Sequence, residues 1–325
     1  MKTTTAPTDL ATVVWPGIEP RLLRTQPGAE DAAEYRGDDG YRPLADADAL
    51  LEDVERSGLL GRGGAAFPMA VKLCAVRDAG RVGSETVVVA NGEEGEPASV
   101  KDRWLLRNRP HLVLDGVRLA AQIVGARRSV MYVSDPASQA ALDAALAELG
   151  DELGGLAVTV VVVEPGYVAG EETAAVRAIN GGPAKPTDKP PRPYQEGVSG
   201  LPTLVSNVET LASLPFLHQH GADAFRAEGT SASPGTFLMT ITGGGKAPRL
   251  YELAHGVPFT ELLAAHQVPP DTLRGVLMGG YFAGMLNREI LDTTLDHETM
   301  RRLGSGLGCG AISLLTGDCA VAVAA

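Results

Sequence analysis

The sequence predicts an α/β fold, a layered domain with a mainly parallel sheet followed by a small β-grasp-like module. Three observations carry this expectation. Short valine-rich runs alternate with helix-length segments through the first two thirds of the chain, the pattern of strands joined by helical crossovers. After GTSASPG (229–235) the order changes to strand, strand, helix, strand, which is a hairpin closed by a helix. With 325 residues, 44% hydrophobic and 21% charged, the chain is long enough to bury two cores.

The elements follow in order. Residues 1–45 are rich in Pro, Gly, Asp and Thr and lack sustained periodicity, so they read as an irregular, loosely draped N-terminal arm. DADALLEDVERSG (46–58) reads as a helix with Leu50, Leu51 and Val54 on one face and Gly58 as its stop. SGLLGRGGAAFPMAVKLCAV (57–76) is a glycine loop opening on a helix, and TVVVANGEEGEP (86–97) a buried strand running into an acidic turn. PHLVLDGVRLAAQIV (110–124) is a helix with proline at its first position. SVMYVSD (129–135) and LAVTVVVVEP (156–165) are strands flanking the helix PASQAALDAALAELG (136–150). GEETAAVRAIN (170–180) is a helix opening on two glutamates. Residues 179–203 form a proline-rich stretch longer than an ordinary connector, and VSNVETLASLPFLHQHG (205–221) reads as one helix. In the second module TFLMTITGG (236–244) and RLYELAHG (249–256) are strands, PFTELLAAHQ (258–267) a helix and RGVLMGG (274–280) a strand. GSGLGCGAISLLTGDCAVAVAA (304–325) reads as further strands. The α/β domain thus runs over 46–228 and the β-grasp-like region over 235–325.

The charge balance excludes some partners. Twenty-eight basic and 40 acidic residues give a net charge of −12 without a basic patch, which repels a nucleic-acid backbone. No apolar run approaches the roughly 18 residues of a membrane span, and the N-terminus lacks a signal peptide's apolar core. The expectation is a cytoplasmic protein with no direct membrane insertion. Cys74, Cys309 and Cys319 are too widely spaced for a disulfide framework or a C-x-x-C metal site, and read as inert thiols.

Four motifs point to chemistry. GRGGAAFP, with Lys72 one turn on, can aim several backbone N–H groups and a cation at a phosphate; its plain alternative is a structural turn. It is neither a P-loop nor a G-x-G-x-x-G following a strand. NGEEGEP (91–97) puts three carboxylates at the end of an apolar strand, where ligands of open α/β sheets bind. Carboxylates there can accept hydrogen bonds from ribose hydroxyls or a heterocycle's N–H, and would repel a 2′-phosphate, favouring NAD over NADP. The plain alternative is a solvated acidic turn. GYVAGEET (166–173) is ordinary helix-capping chemistry if taken alone, and SNVET (206–210) offers Asn207 as either a cap or a ligand contact.

In this order, GRGGAAFP with its lysine, NGEEGEP, GYVAGEETA, KPPRP and SNVETL resemble the FMN- and NADH-binding flavoprotein subunit of respiratory complex I and its relatives in NAD-reducing hydrogenases and formate dehydrogenases. The resemblance covers about residues 57–310. It implies an FMN-binding α/β domain, a β-grasp domain of the SLBB type, and a C-terminal helical bundle carrying a 4Fe–4S cluster. It implies FMN contacts for Gly61, Arg62, Gly63, Gly64, Lys72, Asn91, Glu93, Glu94, Gly170, Glu171, Ser206 and Asn207. Phe67, Glu96, Glu172, Lys189 and Arg192 would face NADH, with Phe67 stacking on its adenine. The implied activity is that of an NADH dehydrogenase-like electron-entry module: hydride passes from NADH to FMN, then single electrons go to a thioredoxin-like ferredoxin partner carrying iron and sulfur, or to a quinone-linked chain. No catalytic acid or base is implied.

The sequence departs from the family's pattern in several places. Gly92 and Glu93 stand where the family has Ala and Asp, Ser206 replaces the first of two asparagines, and Ala169 replaces a cysteine. Ala75 and Arg192 occupy positions of adenine-stacking phenylalanines; arginine can stack on adenine, but alanine cannot replace the lost area. The C-x-x-C-x-x-C run of the cluster is absent, so the expectation is no metal, with either a truncated C-terminal region or a protein that passes electrons directly to a partner. The weakened adenine pocket and the missing cluster motif favour a rival reading, a non-catalytic FMN-binding or assembly protein of the same fold, which the retained glycine loop and acidic motifs oppose. A third reading is a flavin reductase serving quinone, dye or oxygen.

Overall fold

The computed structural model describes residues 10–26, 28–81, 83 and 85–317. Residues 1–9 of the expected arm, and Cys319 with the last expected strand residues, lie outside that range. The chain divides into two compact units: one of residues 26–95 and 102–225, the other of residues 1–25, 96–101 and 226–325.

The first unit is built on a four-stranded, all-parallel sheet. Its strands lie side by side in the order Ala157–Val162, Arg128–Val133, Val87–Asn91, Thr203–Asn207. Numbered along the chain, that order is 3-2-1-4, so the direction of winding reverses between Val87–Asn91 and Thr203–Asn207. Val87–Asn91 and Thr203–Asn207 are buried on both faces, which explains their unbroken apolar runs. Alternate residues Val87, Val89, Val130, Tyr132 and Val205 pack with Ala175 and Val176 of the helix Glu172–Ile179. Val88, Met131 and Leu204 are buried on the opposite face. The helix Pro110–Val124 contacts the sheet; it starts at a proline and stops at Gly125 in the left-handed region. The outer strand Ala157–Val162 is only partly covered, with Val162 41% exposed.

Two sequence expectations change here. The helix expected over 205–221 is a buried strand, Thr203–Asn207, followed by the helices Val208–Ala212 and Leu214–Arg226. A short apolar run such as TLVSN fits a buried strand and a buried helix equally by periodicity. The arm expected over 1–45 is also partly regular. Ala32–Gly37 is a helix opened by a capping box between Asp31 and Glu34, and Tyr35 and Tyr41 are buried. The Tyr35 hydroxyl donates to Asp115 at 2.8 Å, the Tyr41 amide donates to the same carboxylate at 3.0 Å, and Arg118 donates to it at 2.8 Å through Nε. Isolated aromatic anchors of this kind leave no periodic trace.

The second unit is a β-grasp. Its six-stranded mixed sheet runs Ala11–Val14, Arg249–Ala254, Thr236–Gly243, Ala311–Thr316, Leu273–Met278, Met285–Leu286. The hairpin of Thr236–Gly243 and Arg249–Ala254 is followed by the helix Phe259–Ala265, and Ala311–Thr316 enters the sheet parallel to Thr236–Gly243. Ala11–Val14 lies parallel on the outer edge of the hairpin, so this stretch of the expected arm is a strand. Alternate residues Phe237, Met239, Ile241, Tyr251 and Leu253 face one core with Phe259 and Leu262. On the other side of the hairpin, buried Glu252 accepts the amides of Arg21 (3.0 Å), Leu22 (3.1 Å) and Leu23 (2.8 Å) and the Thr236 hydroxyl (2.9 Å).

Candidate functional site

Two neighbouring strands of the parallel sheet, the inner Val87–Asn91 and the edge strand Thr203–Asn207, end on asparagines that are register partners: Asn91 pairs with Asn207 across the winding reversal. That junction, beyond the carboxyl ends of the strands, is where open α/β sheets leave a crevice for a ligand. Asn207 also caps the following helix, its Oδ1 accepting the Glu209 amide at 3.0 Å, while its Nδ2 donates to Asp102 at 2.7 Å. Asn91 donates to the Gly170 carbonyl at 2.6 Å. A chain of side-chain amides therefore runs from the 166–173 turn across both strand ends to Asp102.

The glycine loop packs on this junction. It is closed by hydrogen bonds from the Gly61 amide to the Phe67 carbonyl and from the Met69 amide to the Leu59 carbonyl, both 2.9 Å. A Cβ on Gly63 would lie 3.3 Å from the Asn207 Cβ, and Gly64 sits at φ +112°, a region favouring glycine. The Arg62 amide donates to the Thr210 hydroxyl at 2.8 Å, and its buried guanidinium lies 4.0 Å from Glu209. Burial lowers the Arg62 pKa, opposed by the Glu209 charge. The helix Met69–Gly80 then starts at Pro68, which provides no side-chain cap, leaving a helix start suited to an anion. Lys72 points back to the strand end, donating to the Val205 carbonyl at 3.0 Å. Ser206 is buried, its hydroxyl 3.6 Å from the Met69 sulfur. Phe67 is 47% exposed.

The acidic turn divides its carboxylates among three tasks. Glu93 is buried, 6% exposed, and packs against Gly170, where a Cβ would come within 2.8 Å of its Oε2. Its Oε1 receives long bonds, 3.4 Å each, from the Ser134 hydroxyl and the Gly166 amide, while Oε2 is buried without a hydrogen-bond partner. Burial pushes the Glu93 carboxyl up to about 7 against those two donors. Burial likewise raises the neighbouring Tyr132 phenol to about 12, with the Glu93 charge adding. Glu94 is directed to a helix start: it accepts the amides of Asp102 and Arg103 at 3.2 Å and pairs with the Arg103 guanidinium at 3.0 Å. Glu96 belongs to the β-grasp unit, where it accepts the Tyr281 amide at 2.9 Å and the Ala98 amide at 3.3 Å. A Cβ on Gly280 would lie 2.1 Å from its carboxyl carbon.

The remaining predicted residues form one charged cluster. Glu171 caps the helix Glu172–Ile179, accepting the Thr173 amide at 2.8 Å, and binds Lys189 at 2.6 Å. Glu172 reaches Lys189 at 3.0 Å, Lys72 at 3.6 Å and Arg192 at 3.8 Å. Burial lowers the Lys72 pKa, with Glu172 opposing; burial works the same way on Lys189, but its bonds to Glu171 and Glu172 raise it on balance. A separate cavity of about 370 Å³ is lined by Thr173, Arg177, Thr187, Asp188 and Pro191 among others, and by none of the residues predicted to bind a ligand. The chemistry-bearing groups gather at the strand ends instead.

Asp102, Tyr132, Ser134 and Thr210 complete this surface and escaped the sequence reading. Thr210 lies inside the SNVET motif and could have been found there. The other three carry no local signal, since each matters only through a partner at least 30 residues away.

A family model described as the Nuo51 FMN-binding domain matches residues 54–215. The second F-subunit of NADH-quinone oxidoreductase in Rhizobium meliloti (strain 1021) is 33% identical over 322 residues, covering 92% of this chain and 76% of the relative. The NADH-quinone oxidoreductase F-subunit of Aquifex aeolicus (strain VF5) is 32% identical over 312 residues, 90% of this chain and 71% of that one. Among solved structures, an NAD+-reducing NiFe-hydrogenase in its air-oxidized state matches with a TM-score of 0.75 at 32% identity. That match covers 83% of this chain and 47% of the hydrogenase chain, so the protein spans about half the hydrogenase chain's length. The FMN-binding-domain match and the extent of these relationships show that the chain belongs to the family of NADH-quinone oxidoreductase F-subunits, a family of oxidoreductases.

Proposed function

We propose that the chain is an FMN-dependent, NADH dehydrogenase-like electron-entry module, taking electrons from NADH and passing them singly to a partner. The observation that carries this reading is the glycine loop packed on the Asn91–Asn207 junction, with Lys72 aimed at the same strand end.

Flavin mononucleotide fits the residues present. Gly63 and Gly64 leave backbone that a side chain would crowd or strain, the next helix start is without a side-chain cap, and Glu93 holds a buried oxygen in want of a partner. Bound FMN accepts hydride and releases electrons one at a time, so the protein contributes binding, orientation and electrostatics. The glycine loop with Arg62 and Lys72 binds the phosphate. Asn91, Gly170, Ser206 and Asn207 would hold the flavin, and Glu93 holds a proton near neutral pH. Glu94 and Glu171 act as the caps that fix the two flanking helix starts. Phe67, Glu172, Lys189 and Arg192 serve the dinucleotide. The flavin-binding domain is assigned to 46–228 and the SLBB-like domain to 235–325. The partner is a small thioredoxin-like iron–sulfur protein, and the setting is cytoplasmic. Among the described residues no helix is long and apolar enough to cross a membrane.

A second reading, an FMN-binding protein with a weakened NADH site, is favoured by one observation. Lys189 already holds both Glu171 and Glu172, and Arg192 lies within ion-pair range of Glu172, so a dinucleotide must displace internal partners. Reconstitution with FMN followed by anaerobic NADH titration decides between them. Bleaching of the flavin absorption at near-stoichiometric NADH supports the electron-entry module. Bound FMN that NADH leaves coloured supports the second reading, and failure to bind FMN refutes both.

A further inference from the structure

The two oxygens of Glu172 are divided between two groups of cations. Oε2 faces Lys72 at 3.6 Å, and Lys72 in turn donates to the Val205 carbonyl in the edge strand Thr203–Asn207 of the parallel sheet. Oε1 faces Lys189 at 3.0 Å and Arg192 at 3.8 Å, both on the proline-rich segment. Glu171 shares only Lys189, at 2.6 Å, and its other oxygen is committed to the Thr173 amide and hydroxyl. Glu172 is thus a counter-ion common to the lysine of the flavin side and the cations of the dinucleotide side.

We propose that Glu172 is a positioning residue that couples the two sites, so that a dinucleotide on Lys189 and Arg192 weakens the hold of Lys72 on the flavin phosphate. This rests on the proposed function, which assigns Lys72 to the phosphate and Lys189 with Arg192 to the dinucleotide. A pyrophosphate draws Lys189 and Arg192 away from Oε1. Glu172 then keeps Lys72 as its remaining cation, and the tightened pair competes with the phosphate for the ammonium. The effect is reciprocal, since a free-energy coupling acts equally on both ligands. Lys72 is partly buried, so the competition takes place where charges are weakly screened.

The test is the affinity of the flavin-free full chain for FMN, read by quenching of flavin fluorescence, with and without saturating NAD+. NAD+ is already oxidised, so binding is measured without turnover. The expected result is an FMN Kd raised about five-fold or more by NAD+. Riboflavin, which lacks the phosphate, should bind with a Kd that NAD+ leaves unchanged. Glu172→Gln should bind FMN more tightly than the parent and lose the NAD+ effect; Glu172→Asp, which retains the charge, should keep part of it. An FMN Kd insensitive to NAD+, or equally sensitive in Glu172→Gln, overturns the coupling and leaves the flavin assignment standing. A chain that binds no FMN overturns the assignment itself, and the coupling with it.

Discussion

Glu252 and Glu93 are both buried carboxylates, one in each unit, and their surroundings differ in kind. Glu252 lies in mid-strand in the β-grasp, and the amides of Arg21, Leu22 and Leu23 and the Thr236 hydroxyl converge on its two oxygens. Glu93 lies just past a strand end of the parallel sheet, with two bonds of 3.4 Å on one oxygen and none on the other. Burial raises both pKa values, and in each case the donors oppose it. A buried charge with a complete set of donors is a strap: it fastens a segment that has no apolar face of its own. A buried carboxyl left half-satisfied costs stability unless a ligand or a proton completes it. The contrast separates architecture from site in a chain where composition treats the two glutamates alike.

Substitutions can break that contrast in graded steps. Glu252→Gln should have the largest effect, lowering unfolding stability by about 3 kcal/mol or more in urea denaturation, because an amide NH2 would face backbone donors. Glu93→Gln should behave oppositely and with pH. The folded chain holds the Glu93 proton more tightly than the unfolded chain, with a pKa moved from 4.5 to about 7. Stability attributable to this group is therefore present below pH 4.5 and lost as pH rises to 7, on the order of 3 kcal/mol in full. The flavin-free variant should match the parent near pH 5 and exceed its stability at pH 8; equal losses at both pH values would show Glu93 to be a second strap. Gly170→Ala should raise the FMN Kd about ten-fold, some 1.4 kcal/mol, since its Cβ would sit 2.8 Å from the Glu93 carboxylate and 2.9 Å from its carbonyl oxygen. The smallest test pairs the two hydroxyls: Thr236→Val should cost about 1 kcal/mol and Ser134→Ala under about 0.5 kcal/mol, following their bond lengths of 2.9 and 3.4 Å.

Much of this arrangement was legible in the sequence. The valine runs announced the parallel sheet because both faces of its inner strands are covered, and the glycines marked the loop that packs closely on Asn207. The hairpin and helix after residue 235 announced the β-grasp through alternation. What stayed hidden depends on distant partners. Nothing local distinguishes Glu93, half-satisfied, from Glu94, which caps the helix Lys101–Asn108. Nothing in RLL at 21–23 foretells that its amides close on a glutamate some 230 residues later. The expected helix takes in residues 205–207 of the strand because SNVET does start one, at Val208, three residues after the buried Val205.

The outer strand Ala157–Val162 is a partly exposed sheet edge, the kind of surface on which a second chain can pair in concentrated solution. AVTVVV carries no charge and no proline, the usual means of keeping a sheet edge from recruiting a second chain. Each transient loosening of that edge offers a ready template, and the net charge of −12 is then the main colloidal barrier between molecules. Salt, which thins that barrier, sets the shelf life of the purified protein: recovery after heating falls as ionic strength and concentration rise, whichever ligand is bound.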